Sequence, residues 1–380
     1  MIAFDEALAA IADGVSALGT QSVEIAQAHG RILAQDLTSA IALPPFTQSA
    51  MDGWAVHGAS AHIGPLEIVQ GIFAGQDHTA RAIAPHQAAP IATGAGLPAG
   101  ADTVVRRERA AVVDAALHLE HPVSVGADVR AQGEWLAQGA HIARAGARLT
   151  PQVAAVAATC GVAHVEVWRV PRVALFTSGD EIISPGQPRQ PWQIYDGNSS
   201  MLLHMLAGWG LHEVALIHLE DDPKQVRKQL DRASTYADLI VTTGGASVGQ
   251  RDELRRLSQE HAPLYAKVAQ RPGKPTFLTR RHGTLWVGLP GPPLAAHASA
   301  QTHLKDVVAA LQGAPCAPWS AVAARTFPSH PTMTRLALAA HTQEGWETFE
   351  AASPYQALAR ATHVLAVSPG GAHIRARSLS

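Results

Sequence analysis

A chain of 380 residues exceeds what one hydrophobic core ordinarily organises, so roughly two to four structural units are expected. Apolar residues make up 47% and charged residues 16%, which excludes a disordered chain, and a formal charge of −2 gives no whole-molecule attraction to nucleic acid or to an anionic membrane. Any phosphate-bearing ligand must therefore be caught by a local basic site.

The opening segment places Phe4, Leu8, Ile11, Val15 and Leu18 at helical spacing, which predicts an amphipathic helix over 3–18. It carries Asp5 and Asp13 and no basic start, so it does not read as a secretory signal, and no uncharged apolar run approaches the roughly 18 residues of a membrane span. From 39 to 139, short apolar runs at 66–69, 71–74 and 103–105 are broken by Gly and Pro, the pattern of an irregular β-rich unit. Residues 151–161 begin with Pro151 and end with Gly161, as a short helix does. The two cysteines, Cys160 and Cys316, lack CxxC spacing, which argues against a disulfide framework or a thiolate zinc site and makes a reducing cytoplasm the expected location. The twenty histidines form no HExxH motif and read as scattered surface groups.

Between 172 and 311 the rhythm changes. Apolar strands are expected at 173–177, 214–219, 239–243 and 285–289. Helices are expected over 223–235, where Val226, Leu230 and Ala233 share one face, and over 294–311. Strands alternating with helices predict a doubly wound, mostly parallel α/β sheet. Beyond Gly313, Pro315 and Pro318 mark a linker to a small β-barrel-like C-terminal domain. The expected organisation is an N-terminal helix and the start of a linker domain (1–38), an inserted β-rich domain (39–139) and a return segment of the linker domain (140–171). The α/β domain (172–314) and the C-terminal β domain (315–380) follow.

Ligands of doubly wound sheets sit outside the carboxyl ends of the strands, and each expected strand end here carries polar chemistry. Ser178-Gly179-Asp180-Glu181 follows the first strand and Glu220-Asp221-Asp222-Pro223 the second, where one acid is expected to cap the next helix. The third strand leads into Gly244, Gly245 and Gly249 around Ser247, a turn whose N–H groups can approach an anion, with Asp252 just beyond. Lys267, Arg271 and Lys274 are set among prolines that stiffen their loop, and the fourth strand ends in Pro290-Gly291-Pro292-Pro293. Carboxylates, a glycine-rich turn and a basic loop on one crevice point to a phosphorylated ligand with Mg²⁺.

These segments also carry a resemblance. TSGDEI (177–182), QIYDGN (193–198), EDDP, TTGGASVGQRD (242–252), PGKP and GLPG resemble the central domain of molybdopterin molybdenumtransferases, the bacterial relatives of the gephyrin E domain. That domain is similar to the molybdopterin adenylyltransferases and the competence-damage-inducible proteins as well. PPFTQSAMDGWAV (44–56), FAGQ (73–76), ATGAGLPAGADTVVRRE (92–108) and VRAQGE (129–134) resemble the molybdenumtransferases alone. The resemblance runs from about 30 to 311 and thins over the last 65 residues, where SPYQALARATHVLAVSPGG (353–371) is its best echo.

The resemblance implies conversion of adenylylated molybdopterin and molybdate to molybdenum-molybdopterin and AMP, with Mg²⁺ as cofactor. It implies an elongated homodimer whose site is built by both subunits, and contact with the adenylyltransferase of the same pathway. Carried over position by position, Asp52, Glu181, Asp221 and Asp252 are the catalytic acids, with Glu181 and Asp252 holding the metal. Thr93, Asn198, Gly244, Gly245, Ser247, Lys267, Arg271, Lys274, Pro290 and Pro293 bind the substrate, Arg271 standing where the family has Lys. The chain departs from the pattern at Thr47-Gln48, usually Asp-Asn, and at Pro292, usually the Asn of GLPGNP. Two other readings fit parts of the chain: the adenylyltransferase step, and a catalytically weak paralogue that binds the pterin or acts as a scaffold.

Overall fold

The computed structural model describes residues 1–62, 64–220, 222–244, 253–260, 262–322, 327–342, 345–349, 353–371 and 373–379. At its centre stands a six-stranded sheet in the order Val214–Leu219, Val173–Ser178, Leu239–Thr243, Thr284–Leu289, Phe277–Arg281, Tyr265–Ala266. The first four strands are parallel and the last two pair antiparallel. Val173, Leu175, Leu239 and Val241 enter one core, while Ala174, Phe176, Ile240 and Trp286 enter the other. Strands Val173–Ser178, Leu239–Thr243 and Thr284–Leu289 are buried on both faces, which is why they read as continuous apolar runs rather than as alternation, whereas the edge strand Val214–Leu219 leaves Leu216 exposed.

Three helical segments cover the first face. Phe4–Gly14 packs Phe4, Ala7 and Ile11 there, Gly197–Gly208 packs Leu202 and Leu206, and the helical run 293–311 packs Leu304, Val307 and Val308. Pro223–Ala233 and Glu253–Ser258 cover the second face with Val226, Leu230, Leu254 and Leu257. The capping acid of Pro223–Ala233 is Asp222, whose carboxylate accepts from Lys224 N at 2.9 Å. The chain enters the sheet at Val173–Ser178, steps outward to Val214–Leu219 and returns to Leu239–Thr243 on the other side. That reversal opens a crevice at the carboxyl ends of Val173–Ser178 and Leu239–Thr243.

Thr20–Glu24 pairs with His164–Trp168 and Leu37–Thr38 with His141–Ala143, so the segments flanking the β-rich stretch close on each other around Leu33, Leu149 and Val167. Within that stretch a second six-stranded sheet runs Thr103–Arg106, Gly53–Val56, Gln87–Ile91, Leu66–Ile68, Ala116–Leu119, Ala110–Val113. The apolar run 71–74 forms no strand. Ile72 makes a single bridge to Ile91, and the chain then turns, Gln76 N donating to Phe73 O at 3.1 Å.

Two further expectations are corrected. Gln270–Arg271, read as loop, pairs parallel with Thr334–Thr342 and so joins the C-terminal sheet, with Gln270 opposite Thr334 and Arg271 opposite Arg335. The histidines are not all on the surface: His297 and His303 are buried in the run 293–311, which carries a π turn at Ala300–Leu304. A neutral imidazole is tolerated in a core when its nitrogens find partners, and His303 finds two. No helix among the described residues is long and apolar enough to cross a membrane.

Candidate active site

Two groups of expected site residues come together in different parts of the fold. In the β-rich unit, Asp52 precedes strand Gly53–Val56 and Thr93 follows strand Gln87–Ile91, which pair antiparallel, so the two loops meet at one sheet end. Asp52 Oδ1 accepts from Thr93 N at 2.7 Å and from Thr93 Oγ1 at 2.8 Å. Glycine after Asp52 is required by close approach, since a Cβ at Gly53 would collide with the Val105 carbonyl oxygen of the neighbouring strand. Both bonds from Thr93, ahead of the Arg107 guanidinium, hold the exposed Asp52 carboxyl below the usual carboxylate range. Such a group is an ionised acceptor, suited to taking hydrogen bonds or a proton and not to delivering one.

The second group surrounds the crevice of the central sheet. Gly244 leaves strand Leu239–Thr243 with φ +87°, and a Cβ there would stand 3.0 Å from Ser178 Oγ and 3.2 Å from Ser178 O. The ends of the two crevice strands are thus in contact at a point where only glycine fits. Glu181 is exposed at the mouth, its carboxylate folded over Gly179, where a Cβ would lie 2.6 Å from Glu181 Oε2. Asn198, next to the amino end of Gly197–Gly208, donates to Thr243 Oγ1 at 2.9 Å and to Gly291 O at 2.7 Å. Thr243 Oγ1 in turn donates to Pro290 O at 3.2 Å, so the Pro290-Gly291 turn is tied to the strand beside it. Asn198 Oδ1 is buried and, among the described residues, has no donor, which leaves it as a candidate acceptor for a ligand.

Lys267, Arg271 and Lys274 line a cavity of about 560 Å³ with Pro290, Gly291 and Pro292. Arg255, from helix Glu253–Ser258, joins them; sequence reasoning passed over it because it reads as an ordinary surface arginine of a helix. Pro293 sits one step further on as the first residue of Pro293–Ser299. Beyond Arg271 and Pro272 a second cavity of about 690 Å³ is walled by His330 and Arg335 of the C-terminal domain.

A buried polar network, also missed, holds the basic loop from behind. Gln270 Nε2 donates to Gly273 O and to Ser299 Oγ, both at 3.2 Å, and Thr276 Oγ1 donates to Gly273 O at 2.7 Å. His303 Nε2 lies 2.7 Å from Gln270 Oε1, and its Nδ1 lies 3.1 Å from Tyr265 Oη. Burial, with the charge of Arg377 behind it, pushes the His303 imidazolium down to about 3, so the neutral ring donates to Gln270 and accepts from Tyr265. Gln270, Thr276, Ser299 and His303 are all fully buried. Only packing reveals them, since each reads in the sequence as an unremarked polar residue.

Asp221, Gly245, Ser247 and Asp252 lie outside the described residues. Of the expected metal pair, Glu181 is described; a solvent-facing carboxylate at a strand end is the oxygen donor that Mg²⁺ prefers. No hydrogen bond among the described residues joins Asp52 or Thr93 to the crevice.

Residues 2–161 match the family described as MoeA N-terminal region (domain I and II), and residues 174–310 match the probable molybdopterin binding domain. A molybdopterin molybdenumtransferase 2 of Mycobacterium tuberculosis is 33% identical over 80% of this chain and 78% of its own length. A molybdopterin molybdenumtransferase of Bacillus subtilis is 30% identical over 86% of this chain and 79% of its own. Among solved structures, a molybdopterin biosynthesis MoeA protein from Pyrococcus horikoshii superposes with a TM-score of 0.85 over 100% of this chain and 99% of that one. At 23% identity the superposition shows a shared fold.

Proposed function

The chain belongs to the molybdopterin molybdenumtransferases of molybdenum cofactor biosynthesis, and from that premise we propose that it inserts molybdenum from molybdate into adenylylated molybdopterin with release of AMP. The observation that carries this reading is the convergence of Lys267, Arg271 and Lys274 on the Pro290-Gly291 turn around one 560 Å³ cavity. Three cations held by a stiff loop neutralise phosphates without having to be ordered on binding. In this reading Arg271 and Lys274 receive the phosphates of the nucleotide-pterin, Asn198 keeps the Pro290-Gly291 turn in place, and its Oδ1 takes a donor from the ligand. Mg²⁺, held by Glu181 and Asp252, would screen the charge that develops on the departing phosphate. Asp52, kept ionised by Thr93, serves as an acceptor facing the substrate.

That last role needs the β-rich unit brought to a crevice, and we place it at the crevice of a second copy in a cytoplasmic homodimer. The adenylyltransferase that makes the substrate is the natural donor of the bound nucleotide-pterin. The decisive assay mixes purified protein, adenylylated molybdopterin, Mg²⁺ and molybdate, and follows AMP. Molybdate-dependent AMP release is expected. A protein that binds the nucleotide-pterin but releases no AMP at any molybdate concentration is a scaffold, and the transferase reading fails. Full activity in a species that sediments as a monomer would overturn the shared site while leaving the reaction intact.

A further inference from the structure

A cavity of about 830 Å³ opens at the amino ends of strands Val173–Ser178 and Val214–Leu219, the opposite end of the sheet from the candidate active site. Arg31, Arg148, Arg169 and Arg172 line it, with His29 and His212 beside them. Two of the arginines are already answered: Arg169 donates to both oxygens of Asp238 at 2.9 and 3.0 Å, and Arg172 Nε donates to the same carboxylate at 3.2 Å. Among the described residues the other two donate only to neutral oxygens. Arg148 Nη1 donates to Gly30 O at 2.7 Å. Arg31 Nη2 donates to Trp168 O at 2.8 Å, and the Gln21 amide, with its oxygen turned inward, accepts from the same guanidinium.

Arg31 is the more telling of the pair. Its Nε is buried with no partner among the described residues, and burial holds the guanidinium pKa below its ordinary value. A cation taken partly out of water with an unused donor is costly unless an anion answers it. The lining holds four guanidiniums and one carboxylate, Glu213, and Asp238 is paired with Arg169 and Arg172, so among the described residues the cavity keeps an excess of positive charge. Helix Pro151–Thr159 adds to it by presenting its amino end, through Thr150 and Pro151, to the same space. Leu149, Val170 and Ala207 supply apolar wall, and the volume lies within the range of small-molecule sites.

We infer that this cavity binds a phosphate dianion, free or as the monoester of a small metabolite, between the guanidiniums of Arg31 and Arg148. Planar forks with unspent N–H groups are the geometry that phosphate oxygens select. Bound there, the anion joins the segment around Gly30 and Arg31 to the turn at Gly210, and so couples the linker unit to the sheet.

Titration calorimetry of the full-length protein with inorganic phosphate and with AMP tests this, using Arg31→Gln/Arg148→Gln and Lys267→Ala/Arg271→Ala double variants. The expected result is a binding event that survives the lysine-arginine variant and weakens about tenfold or more in Arg31→Gln/Arg148→Gln. Unliganded melting temperatures of the variants, matched to the parent, exclude misfolding as the cause. If AMP binds this site more tightly than phosphate does, the ligand is an ester whose body uses the apolar wall; equal affinity identifies the bare anion. Binding unchanged in Arg31→Gln/Arg148→Gln, or lost only in Lys267→Ala/Arg271→Ala, overturns the inference. Neither result bears on AMP release at the opposite end of the sheet, so the two readings fail separately.

Discussion

The β-rich unit and the α/β domain present their candidate site residues in opposite ways. Asp52 stands on an exposed loop and is held by one residue, Thr93, through two hydrogen bonds. Lys267, Arg271 and Lys274 stand on a segment backed by fully buried Gln270, Thr276, Ser299 and His303. The first arrangement positions a charge at small structural cost, and the second makes the position of the charges part of the core. Function and stability should therefore separate at Asp52 and stay coupled at the basic loop.

The largest expected effect is on function alone. Asp52→Asn removes the ionised acceptor, and Thr93→Val removes one of the bonds that keep it ionised. Loss of a positioned proton acceptor costs about 10²-fold or more in rate, while an exposed substitution changes stability by about 0.5 kcal/mol or less. AMP-release rates and urea midpoints measured on the same preparations check the separation. A large drop in midpoint with little change in rate would reverse the comparison.

Next comes Gln270→Leu, which leaves Gly273 O, Ser299 Oγ and His303 Nε2 short of a partner. Gly273 O and Ser299 Oγ keep their bonds from Thr276 Oγ1, so His303 Nε2 is the group orphaned; that costs about 1–3 kcal/mol when unrelieved, and with the two lost bonds a loss of roughly 2–3 kcal/mol in unfolding free energy is expected. The dissociation constant for the nucleotide-pterin should rise in the same variant, because the loop that carries the cations loosens. A destabilised protein with unchanged affinity would show that the network serves the core only.

The contrast also explains how much could be seen in advance. The apolar runs at 173–177, 239–243 and 285–289 became strands because a strand buried on both faces writes its burial as an uninterrupted run; 214–219 also became a strand, but an edge one with much of its length exposed. The strand ends were legible for the same reason, and Glu181, Gly244 and Pro290 lie where those ends predict. The pairing of Asp52 with Thr93, 41 residues away, was not, since no local pattern links two loops so far apart in the chain; only the resemblance brought them together. Gln270 and His303 were hidden because a polar residue at a helical or loop position reads as solvated until its neighbours are known. Glu213 and the arginines from Arg31 to Arg172 are scattered along the chain and meet only through the fold.

A smaller effect should appear on acidification, again on one side only. Burial pushes His297 down to about 4 and His303 down to about 3, against a reference near 6.5. In both, the folded value is depressed, so the unfolded chain takes up protons first as pH falls. Stability is therefore full above pH ~6.5 and declines below it, continuing down toward the folded values. Each histidine contributes at most about 1.4 kcal/mol per pH unit, and about 1–2 kcal/mol in all is expected at pH ~6. Hydrogen exchange should show protection falling in 293–311 between pH ~7 and ~5.5 while strands Gly53–Val56 and Gln87–Ile91 hold theirs. Equal losses in both regions would mean that the acid response is not seated in the buried imidazoles.

The smallest effect concerns Pro292, which stands where the GLPGNP pattern of the resemblance has Asn. An asparagine at that place could brace the Pro290-Gly291 turn or bond the ligand. The first task is already done, because Asn198 reaches Gly291 O at 2.7 Å and Thr243 Oγ1 at 2.9 Å. What remains to be gained is a single neutral hydrogen bond to the ligand, worth about 0.5–1.5 kcal/mol, or roughly tenfold in rate at most. Pro292 is also the N-cap of Pro293–Ser299 and makes no side-chain cap bond, so Pro292→Asn supplies one and should stabilise by about 1 kcal/mol. The two gains have different sources and can be told apart. AMP release that rises up to tenfold while the affinity for inorganic phosphate stays level locates the benefit in the reacting complex. A higher melting temperature with no change in rate shows that the amide acts only as a cap. Turnover that appears in Pro292→Asn from a parent with none would mean that Asn198 braces the turn without replacing the missing amide, and that this one side chain separates a scaffold from an enzyme.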